Sequence, residues 1–426
     1  MKRKIVLLCM GLLLMFPLAG CGGTEVNDLV FPLFLGIDQG KEDDLLITVK
    51  FPTYTSGDSS GGGGSKEDEA SLDQGNSSVY TIEAPSILEG MELLSTTLPR
   101  RVSLSHVEFF CISEEMARKG IVREILPLAR DSGSTTTMRV VVVDDSASDF
   151  IIRHKPAMSG NYSREAAVLY ESSSLSIGFD RIQFGEFYNE LYSPYRDAVC
   201  LYGGLAPEEG AVAEEEGMEN ALGLGFQAED SPIRSPQPAQ ISGLAVFRGQ
   251  QLVGELDSYE SSLYAMIRGL GKGETTFPDP QSPGDYVVLQ LDNNREPTVT
   301  AWWEDGIPHV HIKCYLEGGI ATVQSGIGYE SVQEREQFDA YITDILQRDM
   351  QRLLDKVRTE YRADIFGFGR EFMKMCDTIQ QWEDLHWFQI YPQCELTVEV
   401  EYTTRRSGIL FQDDPQAYQT EKFERS

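Results

Sequence analysis

The sequence predicts an α+β fold that is multidomain, with mixed sheets, packed helices and a long amphipathic helix in the C-terminal domain. Three observations carry this. Short β-branched runs alternate with helix-start signals in the first half, two polar tracts interrupt the chain, and apolar residues recur at helical spacing near the end.

The elements follow in chain order. Residues 1–20 place Lys2, Arg3 and Lys4 before a short apolar run and end in Leu18-Ala19-Gly20, directly ahead of Cys21. Basic residues stay inside while a short apolar stretch enters the translocon, so this segment reads as a signal peptide. Small residues before a cysteine suit a lipoprotein peptidase, which makes Cys21 the expected lipidation site. Two acyl chains hold stably where one holds weakly, at about 0.8 kcal/mol per buried methylene.

Residues 21–205 are expected to form an N-terminal mixed α/β domain. Strand-like runs lie at 45–54, 79–83, 107–112 and 138–143. Ser86 with Glu89 has capping-box spacing, and Ser113, Glu114, Glu115 and Gly120 frame a short helix. The Gly- and Ser-rich tract 56–78 cannot bury apolar surface and reads as a loop.

Residues 206–238 form an acidic, proline-rich tract read as a linker. A central β-rich domain is expected over 239–329, with a hairpin near 243–254 and strands at 286–291, 298–303 and 310–316. A C-terminal helix-plus-strand domain is expected over 330–426. There Phe338, Ile342, Ile345, Met350, Leu353, Val357 and Tyr361 make one apolar helix face, and 396–402 alternates as a half-buried strand.

Charge narrows the partners. The chain has 36 basic and 67 acidic residues, a formal net charge of −31. Removing the three basic residues of the signal leaves 33 − 67 = −34 for the mature part. Nucleic acid is excluded as a partner, since phosphate binding needs Lys and Arg to displace counterions. Outside the signal and Cys21, the five cysteines Cys111, Cys200, Cys314, Cys376 and Cys394 are widely spaced and odd in number, and most read as buried free thiols.

No catalytic site, cofactor site or metal site is expected. Gly57-Asp58-Ser59-Ser60-Gly61 has the nucleophile-elbow spelling, but a Gly and Ser tract follows where the elbow needs a helix. His309, His311 and Cys314 fall short of a zinc ligand set. Gly223-Leu224-Gly225 and Gly367-Phe368-Gly369 are too short for a dinucleotide fingerprint. His106 reads as a structural histidine, and Trp382 and Trp387 as core aromatics with docking as the rival role.

Several stretches then align with one family. The mature start 25–29 with Gly36-Ile37-Asp38, the helix 87–98, Arg100-Arg101, His106, the segment 113–121, Arg130-Asp131 and the strand 139–143 resemble the first domain of the Ger(x)C lipoproteins. These are the C subunits of bacterial spore nutrient germinant receptors. Residues 243–247 with 252–254, and Asp364-Ile365-Phe366-Gly367-Phe368-Gly369 with Trp382, Trp387 and Phe388, resemble its second half. Ser132 to Thr137 depart from the charged residues usual after Arg130-Asp131, and the acidic linker looks like an addition.

The resemblance implies a lipid-anchored, non-catalytic subunit on the outer face of the cell membrane, expected at the spore inner membrane. Its partners would be membrane-embedded A and B subunits, with nutrient held by the B subunit rather than by this chain. A substrate-binding lipoprotein of a transporter is the alternative. A secreted enzyme is the third class.

Overall fold

The computed structural model describes residues 26–42, 44–52, 77–131, 133–154, 182–207, 225–231, 238–329 and 331–406. Cys21, the Ser59 tract and Glu208, Glu209, Glu214, Glu215, Glu216 and Glu219 of the acidic linker lie outside them.

The chain begins with β1 (Leu29–Val30), β2 (Phe34–Gln39), β3 (Leu45–Pro52), β4 (Ser77–Ala84) and helix α1 (Ile87–Thr97). It continues through β5 (Arg101–Val102), β6 (Phe109–Ser113), α2 (Glu114–Lys119), α3 (Val122–Arg130), β7 (Arg139–Val143) and α4 (Ala147–Arg153). Helix α5 (Phe184–Leu191), β8 (Val199–Leu205), β9 (Ala239–Arg248) and β10 (Gln251–Leu256) follow. Eight of these strands form one sheet in the order β10-β9-β8-β7-β6-β2-β3-β4.

Its centre, β2-β6-β7-β8, is parallel, and antiparallel pairs extend it at both edges. Parallel strands are covered on both faces and therefore read as continuous apolar runs. Accordingly Val140 to Val143 are all buried. Helices α1, α3 and α5 press Met91, Leu128 and Phe187 onto one face, and α4 presses Ile151 onto the other. Asp38, at the end of β2, caps α4: its carboxylate accepts the Ala147 and Ser148 amides at 2.7 and 2.9 Å. Negative charge at a helix start offsets the unpaired N–H groups there.

After α6 (Ser258–Ile267), a second sheet forms from β11 (Lys272–Pro278), β12 (Tyr286–Glu304), β13 (Ile307–Val323) and β14 (Glu395–Arg406), in that order. Helix α7 (Val332–Lys356) covers one face, burying Phe338, Ile342, Leu346, Met350 and Leu353 against Leu396, Val398 and Val400. It also guards the open edge of β14. Gln351 and Gln347 accept the Val398 and Val400 amides, each at 3.2 Å, and Asp339 accepts that of Thr404 at 3.1 Å. Such side-chain capping blunts an edge that would otherwise template pairing with another chain.

The sheets cut across the expected divisions at 239 and 330. The β9–β10 hairpin pairs with β8 in the first sheet, and β14 pairs in parallel with β13 in the second. Two sequence-distant strands thus complete units that local pattern assigns to separate domains. The runs 286–291 and 298–303 are also one strand. Register shifts between Asn293 and Thr298 absorb Pro297, as bulges do for a residue that cannot donate to the ladder.

Among the described residues Cys111, Cys200, Cys314 and Cys394 are buried, Cys376 is half-buried, and all five are free thiols. Burial pushes the thiols of Cys111 and Cys200 well up, which keeps them unreactive.

Candidate functional site

The C-terminal block after α7 meets the first sheet at a buried joint. A π-helical turn, Val357–Tyr361, ends the long helix, and Arg362 takes the left-handed conformation at φ 56°. The helix therefore stops at an arginine rather than a glycine. Tyr361 packs on Gly254 of β10 so closely that a Cβ there would sit 2.2 Å from the ring.

Asp364 follows, with no exposed surface. Its Oδ1 accepts the amides of Gly367 and Phe368 at 2.8 and 3.0 Å. Its Oδ2 accepts the Gly369 amide at 2.8 Å and the Trp387 indole N–H at 2.9 Å. An aspartate can hold the backbone of the next few residues in this way, here as a closed turn. Gly369 is required because a Cβ would lie 2.5 Å from Trp387 Nε1.

Asp197, just ahead of β8, continues the network. Its backbone N–H donates to the Asp364 carbonyl at 2.9 Å, while its own carboxylate accepts the Asp364 amide and the amide of Gly249, in the β9–β10 turn, both at 2.9 Å. One carboxylate thus ties three segments. Burial pushes Asp197 up to about 6 against the opposite pull of those two N–H donors, and it raises Asp364 as well.

Two arginines complete the joint. Arg196 Nε donates to the Ile365 carbonyl at 2.9 Å and Nη2 to the Tyr264 hydroxyl at 2.8 Å, with Nη1 paired to Glu190. Arg268 Nη1 donates to the Phe366 carbonyl at 3.0 Å. On the solvent side these groups line a cleft of about 580 Å³ with Glu296, Arg370 and Glu371.

Below the joint lies an aromatic stack. Trp387 packs on Phe372 at 4.8 Å, Tyr391 at 5.9 Å and Trp382 at 6.0 Å between ring centroids. Trp382 and Trp387 are 5 % and 2 % exposed, so both belong to the core.

The other sequence candidates fall elsewhere. His309 and His311 lie on the open face of β13 beside Glu395 and Glu399, while Cys314 points into the core beneath α7. The strand alternation separates them, and among the described residues no group of three His, Cys, Asp or Glu side chains is placed to hold a metal. His106 is exposed and packs on Phe31 at 4.4 Å. No described helix is long and apolar enough to cross a membrane. Sequence reasoning missed Asp197, Glu190 and Arg196. The one available signal was Asp364 directly ahead of a Gly-Phe-Gly run.

Comparison with known proteins matches the two halves separately. Residues 22–203 match the family model described as spore germination protein N-terminal domain, and residues 242–408 match spore germination B3/GerAC like, C-terminal. Putative spore germination protein YfkR of Bacillus subtilis (strain 168) is 23 % identical over 428 residues, covering 96 % of this chain and 99 % of its own. Spore germination protein YndF of the same organism is 21 % identical, at 96 % and 98 % coverage. The crystal structure of the GerBC protein superposes with a TM-score of 0.52 at 15 % identity, covering 87 % of this chain and 96 % of that one. With both halves matched in order and joined as one α+β body, the chain belongs to the Ger(x)C family of spore germination proteins.

Proposed function

We propose that this chain is the lipid-anchored, non-catalytic C subunit of a spore nutrient germinant receptor, and that it acts by supporting assembly of membrane-embedded A and B subunits. The observation that carries the reading is the ordered match of both halves to spore germination domains, spanning residues 22–408 with one gap. The joint supports the scaffold role. The carboxylate oxygens of Asp364 and Asp197 are engaged by N–H groups of the chain itself, an arrangement that fixes two sheets relative to each other rather than one that turns over substrate.

The basic, apolar and small-residue order of 1–20 supports cleavage before Cys21 and diacylglycerol attachment there. Cys21→Ala tests the anchor. Radiolabelled fatty acid should mark the wild type and not the variant, and label retained by the variant would overturn the assignment. Co-purification of the wild-type chain with the products of neighbouring membrane-protein genes tests the receptor reading, and its absence in spores that germinate normally would sink it.

The cleft beside Arg196 and Arg268 favours, by position, the transporter-type alternative, because substrate-binding lipoproteins hold ligand between two lobes. A thermal-shift screen with amino acids and sugars separates the readings. A saturable rise in melting temperature would support ligand binding by this chain.

A further inference from the structure

The route of the chain out of the N-terminus points to one side of the molecule as facing the membrane. Leu29 is eight residues from Cys21, so it lies at most about 28 Å from the lipidated residue at roughly 3.5 Å per residue. β1 pairs in parallel with β5, setting Leu29 opposite Arg101 and Val30 opposite Val102. The Val102 amide donates to Ser95 of α1 at 3.1 Å, which places the end of that helix at the same corner. A lipid on Cys21 would therefore keep β1, β5 and the end of α1 within tether reach of the bilayer.

The chemistry of this corner differs from that of the chain as a whole. Residues 87–106 carry Glu89, Glu92, Arg100 and Arg101, and Asp28 stands directly ahead of β1, so three acids face two bases here, against −31 for the whole chain. Glu89 and Glu92 lie in the first half of α1, and both arginines lie beyond its end, nearest β1. Arg100 and Arg101 are exposed. Leu88 and Leu93, on the outer side of α1, are 39 % and 47 % exposed, and Val26 beside the tether is 73 % exposed. Basic residues next to exposed aliphatic ones match an interface of anionic headgroups over acyl chains. On the open face of the second sheet, Glu395, Glu399 and Glu401 stand against His309, Lys313 and Arg295, so its charges are engaged within the sheet.

We infer that the corner formed by β1, β5 and the end of α1 is a membrane-contacting surface, with Arg100 and Arg101 meeting anionic lipid headgroups and Leu93 meeting the upper acyl region. This rests on the lipid anchor at Cys21. The anchor supplies attachment, and the corner supplies orientation.

Photocrosslinking tests it with the full mature lipoprotein. Benzoylphenylalanine replaces Leu93 in one sample and Ile307, exposed at the β12–β13 turn, in another. Each is reconstituted on vesicles of phosphatidylcholine with or without phosphatidylglycerol, floated, irradiated and examined for lipid adducts by mass spectrometry. The expected result is several-fold more adduct at 93 than at 307 when phosphatidylglycerol is present. Arg100→Glu with Arg101→Glu should bring 93 down to the level of 307 while flotation and melting stay unchanged. Equal adduct at 93 and 307 on floated vesicles, or indifference to the charge reversal, overturns the inference and leaves the anchor standing. Failure of the wild-type lipoprotein to float at all overturns the anchor and the inference with it. In membranes that contain the partner subunits, adducts at 93 to protein instead of lipid would assign the corner to a partner and overturn the lipid reading.

Discussion

Asp364→Ala removes the acceptor at the centre of the joint and orphans four donors at once: the amides of Gly367, Phe368 and Gly369 and the Trp387 indole. A buried donor left without a partner costs about 1–3 kcal/mol, so a naive sum runs from about 4 to 12. Removing an ionised carboxyl from full burial offsets part of this, because such a group is itself costly to bury. The net resembles the loss of one member of a buried pair, about 3–5 kcal/mol. That is a large share of the roughly 5–15 kcal/mol that holds a domain folded. Asp364→Asn discriminates further. Its single oxygen can serve one pair of donors, while its NH₂ faces the other, so the cost should be about half, roughly 2 kcal/mol. Urea unfolding of the mature chain, followed by tryptophan fluorescence, measures both, and Trp387 reports directly on the site. Losses under about 0.5 kcal/mol for both variants, the range of ordinary surface changes, would refute the assignment of the joint to this carboxylate.

Trp382→Ala should cost about 3–5 kcal/mol through lost transfer energy and the cavity left beside Trp387; normal melting with lost co-purification would make it a docking residue instead. Two buried groups should titrate in opposite senses. Asp197, raised to about 6, favours the folded state below the unfolded carboxyl range and loses that contribution as pH rises through about 6, whereas burial and Lys50 lower His154 to about 4, so its contribution is present above 6.5 and lost as pH falls toward 4. Asp197→Asn should therefore leave a chain that weakens on acidification between these limits, and His154→Leu one that strengthens, each by roughly 3 kcal/mol for a shift of about two pKa units. Parallel stability–pH curves for both variants and wild type would refute this. Gln347→Ala with Gln351→Ala uncaps the Val398 and Val400 amides, and should cost about 1–2 kcal/mol and speed self-association seen by light scattering; unchanged scattering would mean the edge is protected by other means.

Local elements were legible because their causes are local. The Ser86 hydroxyl accepts the Glu89 amide at 3.3 Å, as the capping spacing implies, and α2 ends at Gly120 with φ 114°. The apolar stripe from Phe338 to Leu353 became the buried face of α7. Pairing between distant strands was not legible, since nothing in 243–247 states whether β9 hydrogen-bonds to β8 or starts a new sheet. The separate strands expected at 286–291 and 298–303 are one, because the bulges that absorb Pro297 depend on β13 across the strand, which local sequence does not state.

The joint itself shows why a resemblance can locate residues without explaining them. Asp38, Gly254, Asp364, Gly369 and Trp387 all lie in the stretches that resemble the Ger(x)C pattern, and each makes a contact across 18 residues or more: Asp38 to α4, Gly254 to Tyr361, and Trp387 to Asp364 and Gly369. None is where reactive chemistry gathers. They hold elements at fixed angles, and Asp197, the residue on which three segments converge, carries no local signature because its partners come from the β9–β10 turn and the C-terminal block. A protein whose shared residues are joints rather than reactive groups is suited to transmit or maintain a geometry. The scaffold role proposed above would call for that rigidity between the β1–β5 corner and the second sheet.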